Sequence, residues 1–305
     1  MEKIAVILST YNGDRFLCEQ IDSILNQKDV EVHLYIRDDG STDTTPEILK
    51  KYQTKYSNIN VYFDSNKGCK DSFYICAKYT WIKEQSTQYF AFADQDDYWK
   101  EDKLKVGINE LKAINKNVPI LYFCPPKIVD QYLNPLDIEW NNRHLLNFEE
   151  ACLVQPCAGC TMIFNRQSLE LFLKGTPQKM SLHDSWMYKC VLACGGSIIE
   201  DTESHIFYRQ HGNNVVGTGS FSSRWRRRYN NFVNKNRYRS IQIKNILDTY
   251  SDYMPTQAIE SAKILSTYTE LNLYKRIKLA FNPKFRLHGF MHNLMFKLAI
   301  ISKRY

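Results

Sequence analysis

Over its first hundred residues the chain alternates four times between a short apolar run and a segment whose apolar residues recur at helical spacing. Lys3 to Ser9 (Lys-Ile-Ala-Val-Ile-Leu-Ser) is nearly continuous in apolar character, which suits a strand covered on both faces of a parallel sheet. Phe16, Leu17, Ile21, Ile24 and Leu25 then mark a helix, and Val32 to Ile36 a second strand. At Thr44-Thr45-Pro46-Glu47, a threonine cap, a proline near the first turn and a glutamate behind it predict a helix start. Ile59 to Phe63 reads as a strand, Asp71 to Glu84 as a helix with Phe73, Cys76, Ala77 and Trp81 on one face, and Tyr89 to Ala93 as a strand again. Helical crossovers between buried strands predict βαβ units and an open, mostly parallel α/β sheet of Rossmann-like type flanked by helices. Ligands of such sheets bind at the carboxyl ends of the strands. Those ends read Ser9-Thr10-Tyr11-Asn12-Gly13, Arg37-Asp38-Asp39-Gly40-Ser41-Thr42-Asp43 and Asp94-Gln95-Asp96-Asp97, all polar and two of them rich in carboxylate.

Beyond Lys103 the pattern predicts a helix to about Asn115, strands near Ile120–Cys124 and Thr161–Phe164, and a helix near Asp184–Ala193. Tyr208-Arg209-Gln210-His211-Gly212-Asn213-Asn214 reads as a polar loop after a short strand. No linker interrupts residues 1–215, so residues 1–220 are expected to form one domain and residues 221–305 an appended basic helical region. At 305 residues and 44% hydrophobic content the chain can bury a substantial core. Its nine cysteines are odd in number, scattered and mostly set among apolar neighbours, as expected of reduced thiols. Cys157-Ala-Gly-Cys160 is a lone CxxC and reads as small buried thiols rather than as a zinc or redox motif. The start Met-Glu-Lys enters a strand pattern without the basic segment and apolar run of a secretory signal. No uncharged apolar stretch reaches the roughly 18 residues of a membrane span. A cytoplasmic location is expected.

The formal net charge of +7 conceals an asymmetry, because residues 1–220 carry 23 basic and 29 acidic side chains whereas residues 221–305 carry 17 and 4. The basic part contains Arg224-Trp225-Arg226-Arg227-Arg228-Tyr229, Lys235 to Arg239, and a closing stretch rich in large apolar residues from Leu273 to Ile301. Interleaved aromatic and basic residues suit anionic lipid headgroups, so contact with the inner membrane surface is expected. The competing reading is a helical cap whose apolar stripe packs on the main domain. Nucleic acid is disfavoured, since a basic patch without a recognition motif is weak evidence for it.

There is no GxGxxG after the first strand and no GxxxxGK[ST], which disfavours a dinucleotide oxidoreductase and a P-loop NTPase. Three carboxylates in Asp94-Gln95-Asp96-Asp97 crowd one strand end and repel unless a cation neutralises them. Mg²⁺ or Mn²⁺ prefers oxygen ligands and keeps substrate phosphates in its shell. Asp39 offers an acceptor for the imide N–H of uracil or thymine, and Tyr11 a ring on which a base could stack. Taken one at a time, these residues also read as turns and caps, and Asp184 as the N-cap of a helix Ser185–Ala193. Together they describe a nucleotide pocket beside a metal.

Six segments in order, Ser-Thr-Tyr-Asn-Gly at 9–13, Arg-Asp-Asp-Gly-Ser-Thr-Asp at 37–43, Asp-Gln-Asp-Asp-Tyr-Trp at 94–99, Gly-Cys-Thr-Met at 159–162, His-Asp-Ser-Trp at 183–186 and Tyr-Arg-Gln-His-Gly-Asn-Asn at 208–214, resemble the family 2 glycosyltransferases of GT-A fold. Within that family they look most like bacterial rhamnosyltransferases of cell-wall and capsular polysaccharide synthesis. The resemblance implies that Tyr11 and Asp39 hold the base of a nucleotide-diphosphate sugar, in a site shared with Thr10, Asn12, Asn66 and Gln95, with Asp94 near the ribose. It implies that Asp96 and His211 coordinate Mg²⁺ or Mn²⁺ at the diphosphate, that Arg209 closes over the diphosphate from the far side, and that Asp184 is the general base. His183 and Trp186 fall on the acceptor side. Ser185 separates Asp184 from Trp186, where the family more commonly has His-Asp-Trp. The implied reaction is inverting, metal-dependent transfer of L-rhamnose from dTDP-rhamnose to a hydroxyl of a growing, lipid-linked surface polysaccharide. Two alternatives stand beside it: transfer of another hexose from a UDP-sugar, and a non-catalytic sugar-binding protein of the same fold.

Overall fold

The computed structural model describes residues 1–114, 117–138, 140, 146–154, 157–211, 238–287 and 289–305. The basic cluster Arg224–Tyr229 and the loop residues Gly212, Asn213 and Asn214 lie outside the described residues. The alternating pattern of the first hundred residues becomes β1 (Glu2–Thr10), α1 (Leu17–Leu25), β2 (Val30–Asp38), α2 (Thr45–Lys55), β3 (Ile59–Phe63), α3 (Cys69–Lys83) and β4 (Tyr89–Ala93). After it come β5 (Tyr98–Trp99), α4 (Lys103–Lys112), β6 (Ile120–Phe123), β7 (Lys127–Val129), α5 (Phe148–Ala151), β8 (Met162–Asn165), α6 (Arg166–Lys174), α7 (His183–Ala193), β9 (Ser197–Glu200) and β10 (Ile206–Arg209). The helix expected at Thr44 does begin there, but the threonine does not cap it: the Asp43 carboxylate accepts from Thr45 N at 3.0 Å, and Thr44 Oγ1 donates instead to Asp14 at 2.9 Å.

Seven strands form one sheet in the order β3-β2-β1-β4-β8-β6-β9, in which β8 alone runs against its neighbours. The order reverses direction between β1 and β4, which opens a crevice at their carboxyl ends. Ile4 to Leu8 are fully buried, and their side chains alternate between two cores. Ile4, Val6 and Leu8 pack with α1 and α4; Ala5 and Ile7 pack with α3, α6 and α7. Burying a side chain of the size of Ile or Leu contributes roughly 1.5–3 kcal/mol, so β1 fixes the sheet from within. A second, three-stranded sheet in the order β5-β10-β7 stands beside the first and carries the chain back across the acidic end of β4.

The C-terminal helices Tyr238–Tyr250, Thr256–Thr267, Leu273–Ala280 and Phe290–Ile301 share a core with α3, α6 and α7. Lys189 on α7 donates to Gln242 at 2.7 Å, and Tyr305 Oη donates to the Cys152 carbonyl at 2.7 Å. The boundary expected near residue 220 therefore separates charge rather than cores. All nine cysteines are free; six are buried, Cys157 and Cys160 among them.

Candidate active site

Three strand ends are laced together by side chains that the sequence had grouped. Gln95 Oε1, just past β4, accepts from Thr10 Oγ1 at 2.7 Å and from Tyr11 N at 2.8 Å. Asn12, at φ 48°, accepts from Thr42 N at 2.8 Å and so ties the β1 loop to the β2 loop. Asp38 turns back onto Ser41, whereas Asp39 points the other way. The Asp39 carboxylate accepts from the backbone N–H groups of Lys67 and Gly68, each at 2.8 Å, and is paired with the fully buried Arg37. Asn66 stands in the same turn and accepts from Gly68 N at 3.1 Å. Gly40, at φ 76°, lies so close to that turn that a Cβ would come within 2.9 Å of Asn66 N. Beside these fixed groups the Tyr11 side chain is exposed, leaving a ring face free for stacking.

The acidic end of β4 is held from behind by β10. Arg209 is 1% exposed: its Nε donates to the Asp96 carbonyl at 2.8 Å, its terminal nitrogens donate to the Gln131 carbonyl and to Glu19, and its guanidinium lies 4.4 Å from the Phe16 ring centroid. The sequence reading placed Arg209 over a diphosphate; here its guanidinium is buried behind the Asp96 loop and bonded to the Asp96 carbonyl, the Gln131 carbonyl and Glu19. Asp97 is fully buried beside the Cys160 thiol and accepts from Arg209 N at 3.3 Å through Oδ1; among the described residues its Oδ2 has no hydrogen-bond partner. Burial first, then Asp96 and Asp94, push its carboxyl well above the usual range. Lys103, buried with its Nζ 3.6 Å from the Trp99 ring centroid, is pulled down to about 8 by the same desolvation.

Asp96 faces outward. Its Oδ2 lies 2.8 Å from His211 Nε2, so the two expected metal ligands are in contact at a partly open position. Asp94 next to them is pushed up to about 7 by burial, then by Asp96 and Asp184, the electrostatic signature of carboxylates that a cation would relieve. Oxygen donors with one imidazole fit a hard divalent ion, and these residues fit Mg²⁺ or Mn²⁺. Among the described residues, the ligand-type atoms of Asp94, Asp97 and Cys160 also lie within 4.8 Å of one another. Asp97 and Cys160 of that cluster are buried, near the buried Lys103, whereas Asp94 is only partly covered.

Asp184 sits in the first turn of α7. The helix starts at His183 with Leu182 as its N-cap, so Asp184 is not the cap of a helix Ser185–Ala193; its Oδ1 accepts from Ser185 N at 2.6 Å. His183 is buried and stacks on Phe73 of α3 with centroids 3.8 Å apart, and among the described residues neither ring nitrogen has a partner. Burial holds its pKa below the usual histidine value. Gly159 lies against it, where a Cβ would fall 2.4 Å from His183 Nε2. Trp186 is fully buried, donates from Nε1 to Tyr250 Oη at 3.0 Å and presents no surface to an acceptor. Its acceptor-side placement gives way to a structural one.

One residue escaped the sequence reading. Cys69 opens α3 directly after the two amides that hold Asp39, and Phe73, which stacks on His183, lies one helical turn further along the same face. Cys69 is exposed at the rim, and the crowding of its thiol, together with the carboxylates of Asp94, Asp184 and Asp39, pushes it up to about 12. Groups from β2, β4 and α7 thus act on a single point at the sheet's carboxyl edge.

The family description "Glycosyl transferase family 2" matches residues 5–172, more than half of the chain. The chain belongs to glycosyl transferase family 2. This glycosyltransferase is 32% identical to the dTDP-rhamnosyl transferase RfbG of Shigella flexneri, over 72% of this chain and 77% of that one. It is 28% identical to a putative teichuronic acid biosynthesis glycosyltransferase, TuaG, of Bacillus subtilis, over 54% of this chain and 62% of that one. Among solved structures, it superposes on S. aureus TarS in complex with UDP-GlcNAc with a TM-score of 0.59 at 15% identity, covering 99% of this chain and 82% of that one. A mannosyltransferase of Pyrobaculum calidifontis in complex with GDP-Man and Mn²⁺ gives a TM-score of 0.54 at 16% identity, covering 99% and 86%. The glycosyltransferase has the GT-A fold.

Proposed function

We propose that this glycosyltransferase transfers L-rhamnose from dTDP-rhamnose, with inversion, to a hydroxyl of a growing surface polysaccharide carried on lipid. The lacing of the β1, β2 and β4 ends around the Asp96–His211 contact carries the reading, with Asp184 in the first turn of α7 directly after His183, which stacks on Phe73 of α3. The preference for rhamnose rests on the similarity to the rhamnosyl transferase of Shigella flexneri. In this reading Tyr11 stacks on the base, Asp39 accepts its imide N–H, and Thr10, Asn12, Asn66 and Gln95 fix the loops around it. Asp94 faces the ribose. Asp96 and His211 hold Mg²⁺ or Mn²⁺, which when bound supplies positive charge to the diphosphate. Arg209 keeps the Asp96 loop in place.

Asp184 takes the proton of the acceptor hydroxyl as the new bond forms between that oxygen and the anomeric carbon, while the bond from that carbon to the diphosphate oxygen breaks on the opposite face. In-line displacement inverts the anomeric centre. His183, whose ring nitrogens meet no partner among the described residues, lies against Phe73 and Gly159 beside the base.

The test is Asp184→Asn. Transfer should fall by roughly 10²–10⁴, as loss of a general base does, while nucleotide sugar still protects the protein against heat. Near-normal turnover would exclude the base role. EDTA should abolish transfer and Mg²⁺ or Mn²⁺ restore it. A panel of nucleotide sugars scored by thermal protection identifies the donor, and preferential protection by a UDP-hexose would replace rhamnose in the proposal.

A further inference from the structure

The last two helices of the chain are apolar on the side that packs and also on the side that does not. Leu279, Ala280, Phe285, Phe296, Ala299 and Ile300 are buried against the rest of the molecule. On the outside, Leu273, Ile277 and Phe281 recur at spacings of four, and Phe290, Leu294 and Leu298 do the same on the second helix. All six are exposed, with Phe281 at 62% and Phe290 at 79%, and Tyr274 beside them reaches 75%. Residues i, i+4 and i+8 share one face, so each helix presents a stripe rather than scattered side chains. A continuous exposed apolar surface marks an interaction site.

Charge says what covers it. Residues 271–305 contain eight Lys and Arg and no Asp or Glu. Lys275 and Lys278 are exposed next to the first stripe, and Lys297 Nζ lies 4.2 Å from the Phe281 ring centroid at the junction of the two. A second copy of this face would bring cations against cations. An anionic bilayer surface meets both demands: acyl boundary for the apolar stripes, headgroup phosphates for the lysines that rim them. Among the described residues no helix is long and apolar enough to cross a membrane, so this is attachment from one side.

We propose that the outer face of the helices Leu273–Ala280 and Phe290–Ile301 seats the enzyme on anionic membrane lipid. The proposal rests on the reading of a lipid-borne acceptor and gives that reading its docking surface.

The full chain is floated with vesicles of phosphatidylcholine alone or mixed with phosphatidylglycerol. Wild type should float with the anionic vesicles, and less so at high salt. Tyr274→Asp/Phe290→Asp should reduce the floating fraction roughly tenfold or more, and Lys275→Glu/Lys278→Glu/Lys297→Glu should abolish the preference for anionic lipid. Tyr274, Lys275, Lys278 and Phe290 are exposed and Lys297 is half-buried over the exposed Phe281 ring, so circular dichroism and thermal protection by nucleotide sugar should match wild type. Failure of wild type to float, or equal flotation of the variants, overturns the proposal; so does a dimer in sedimentation that the Asp variants dissolve. Loss of nucleotide protection in wild type would instead sink the enzymatic reading, whatever the vesicles show.

Discussion

At the carboxyl ends of the sheet four acidic side chains are answered within hydrogen-bond distance: Asp38 by Ser41, Asp39 by Arg37 and two backbone amides, Asp96 by His211, Asp97 by the Arg209 amide. In residues 271–305 the eight cations meet no acid of their own segment, and apolar rings stand among them in solvent. Paired charges in a low-dielectric setting fix groups to a geometry, which a reaction at one atom requires. A one-signed field with exposed apolar area fixes nothing locally but suits a broad surface of opposite sign. Buried residues of both regions belong to one core cluster, so the contrast lies in how charge is used.

Cutting one pairing at the acidic end gives the sharpest break of that contrast. Arg37 is wholly buried and also bonds Ser72 Oγ at 2.9 Å and the Ser65 carbonyl at 3.0 Å, so Arg37→Leu leaves Asp39 buried with its amides alone. Removing one partner of a buried pair costs about 3–5 kcal/mol. Urea denaturation should show that loss together with loss of nucleotide protection. The same measurement on Lys275→Glu should move by less than about 0.5 kcal/mol, as exposed substitutions do. A small effect of Arg37→Leu would mean that the amides of Lys67 and Gly68 suffice to hold Asp39.

Acid titration probes a paired carboxylate at the other end of the same sheet. Burial alone would raise Glu84, but bonds from Thr87, Tyr35 and Lys3, helped by His33, bring it down to about 2 from an ordinary 4.5. A depressed folded-state value stabilises the fold fully above the unfolded pKa and loses that contribution as pH falls through the folded one. The expected share is on the order of 3 kcal/mol. Stability of wild type relative to Glu84→Gln should therefore be greatest near pH 7 and shrink from about pH 4.5 toward pH 2. A difference that does not change with pH would show that Glu84 is not ionised in these bonds.

What the sequence disclosed follows from which forces are local. Strands buried on both faces must be apolar throughout, so β1, β4 and β6 were legible, the edge strand β3 through its β-branched and aromatic residues, and the polar ends of β1, β2 and β4 pointed to the crevice. The small second sheet was not, since Tyr98–Trp99 and Lys127–Val129 are too short to show a period. With it went the burial of Arg209, whose role depends on Glu19 and on the Gln131 carbonyl, groups far from it in the chain. Cys69 offered no signal except its place after Lys67-Gly68, and its position among carboxylates depends on α7 and β4, which bring Asp184 and Asp94 near it. The basic carboxyl-terminal region was legible as charge but not as packing, because the same helices are apolar on both sides.

Trp186 is where that packing can be tested most finely. Its indole links α7, which bears Asp184, to the helix Tyr238–Tyr250 through Tyr250 Oη, which in turn donates to the Leu171 carbonyl at 2.6 Å. Trp186→Phe keeps an aromatic ring but removes the donor and some volume, for about 1–2 kcal/mol. If the two regions share one core, the loss should appear in a single unfolding transition followed alike by far-ultraviolet circular dichroism and by nucleotide protection. Two separated transitions, with the nucleotide site unmoved, would show that the basic helices fold on their own. The same variant also decides the residue's part in the reaction: a buried seam residue leaves the KM for acceptor near wild type, whereas an acceptor contact would raise KM at unchanged stability.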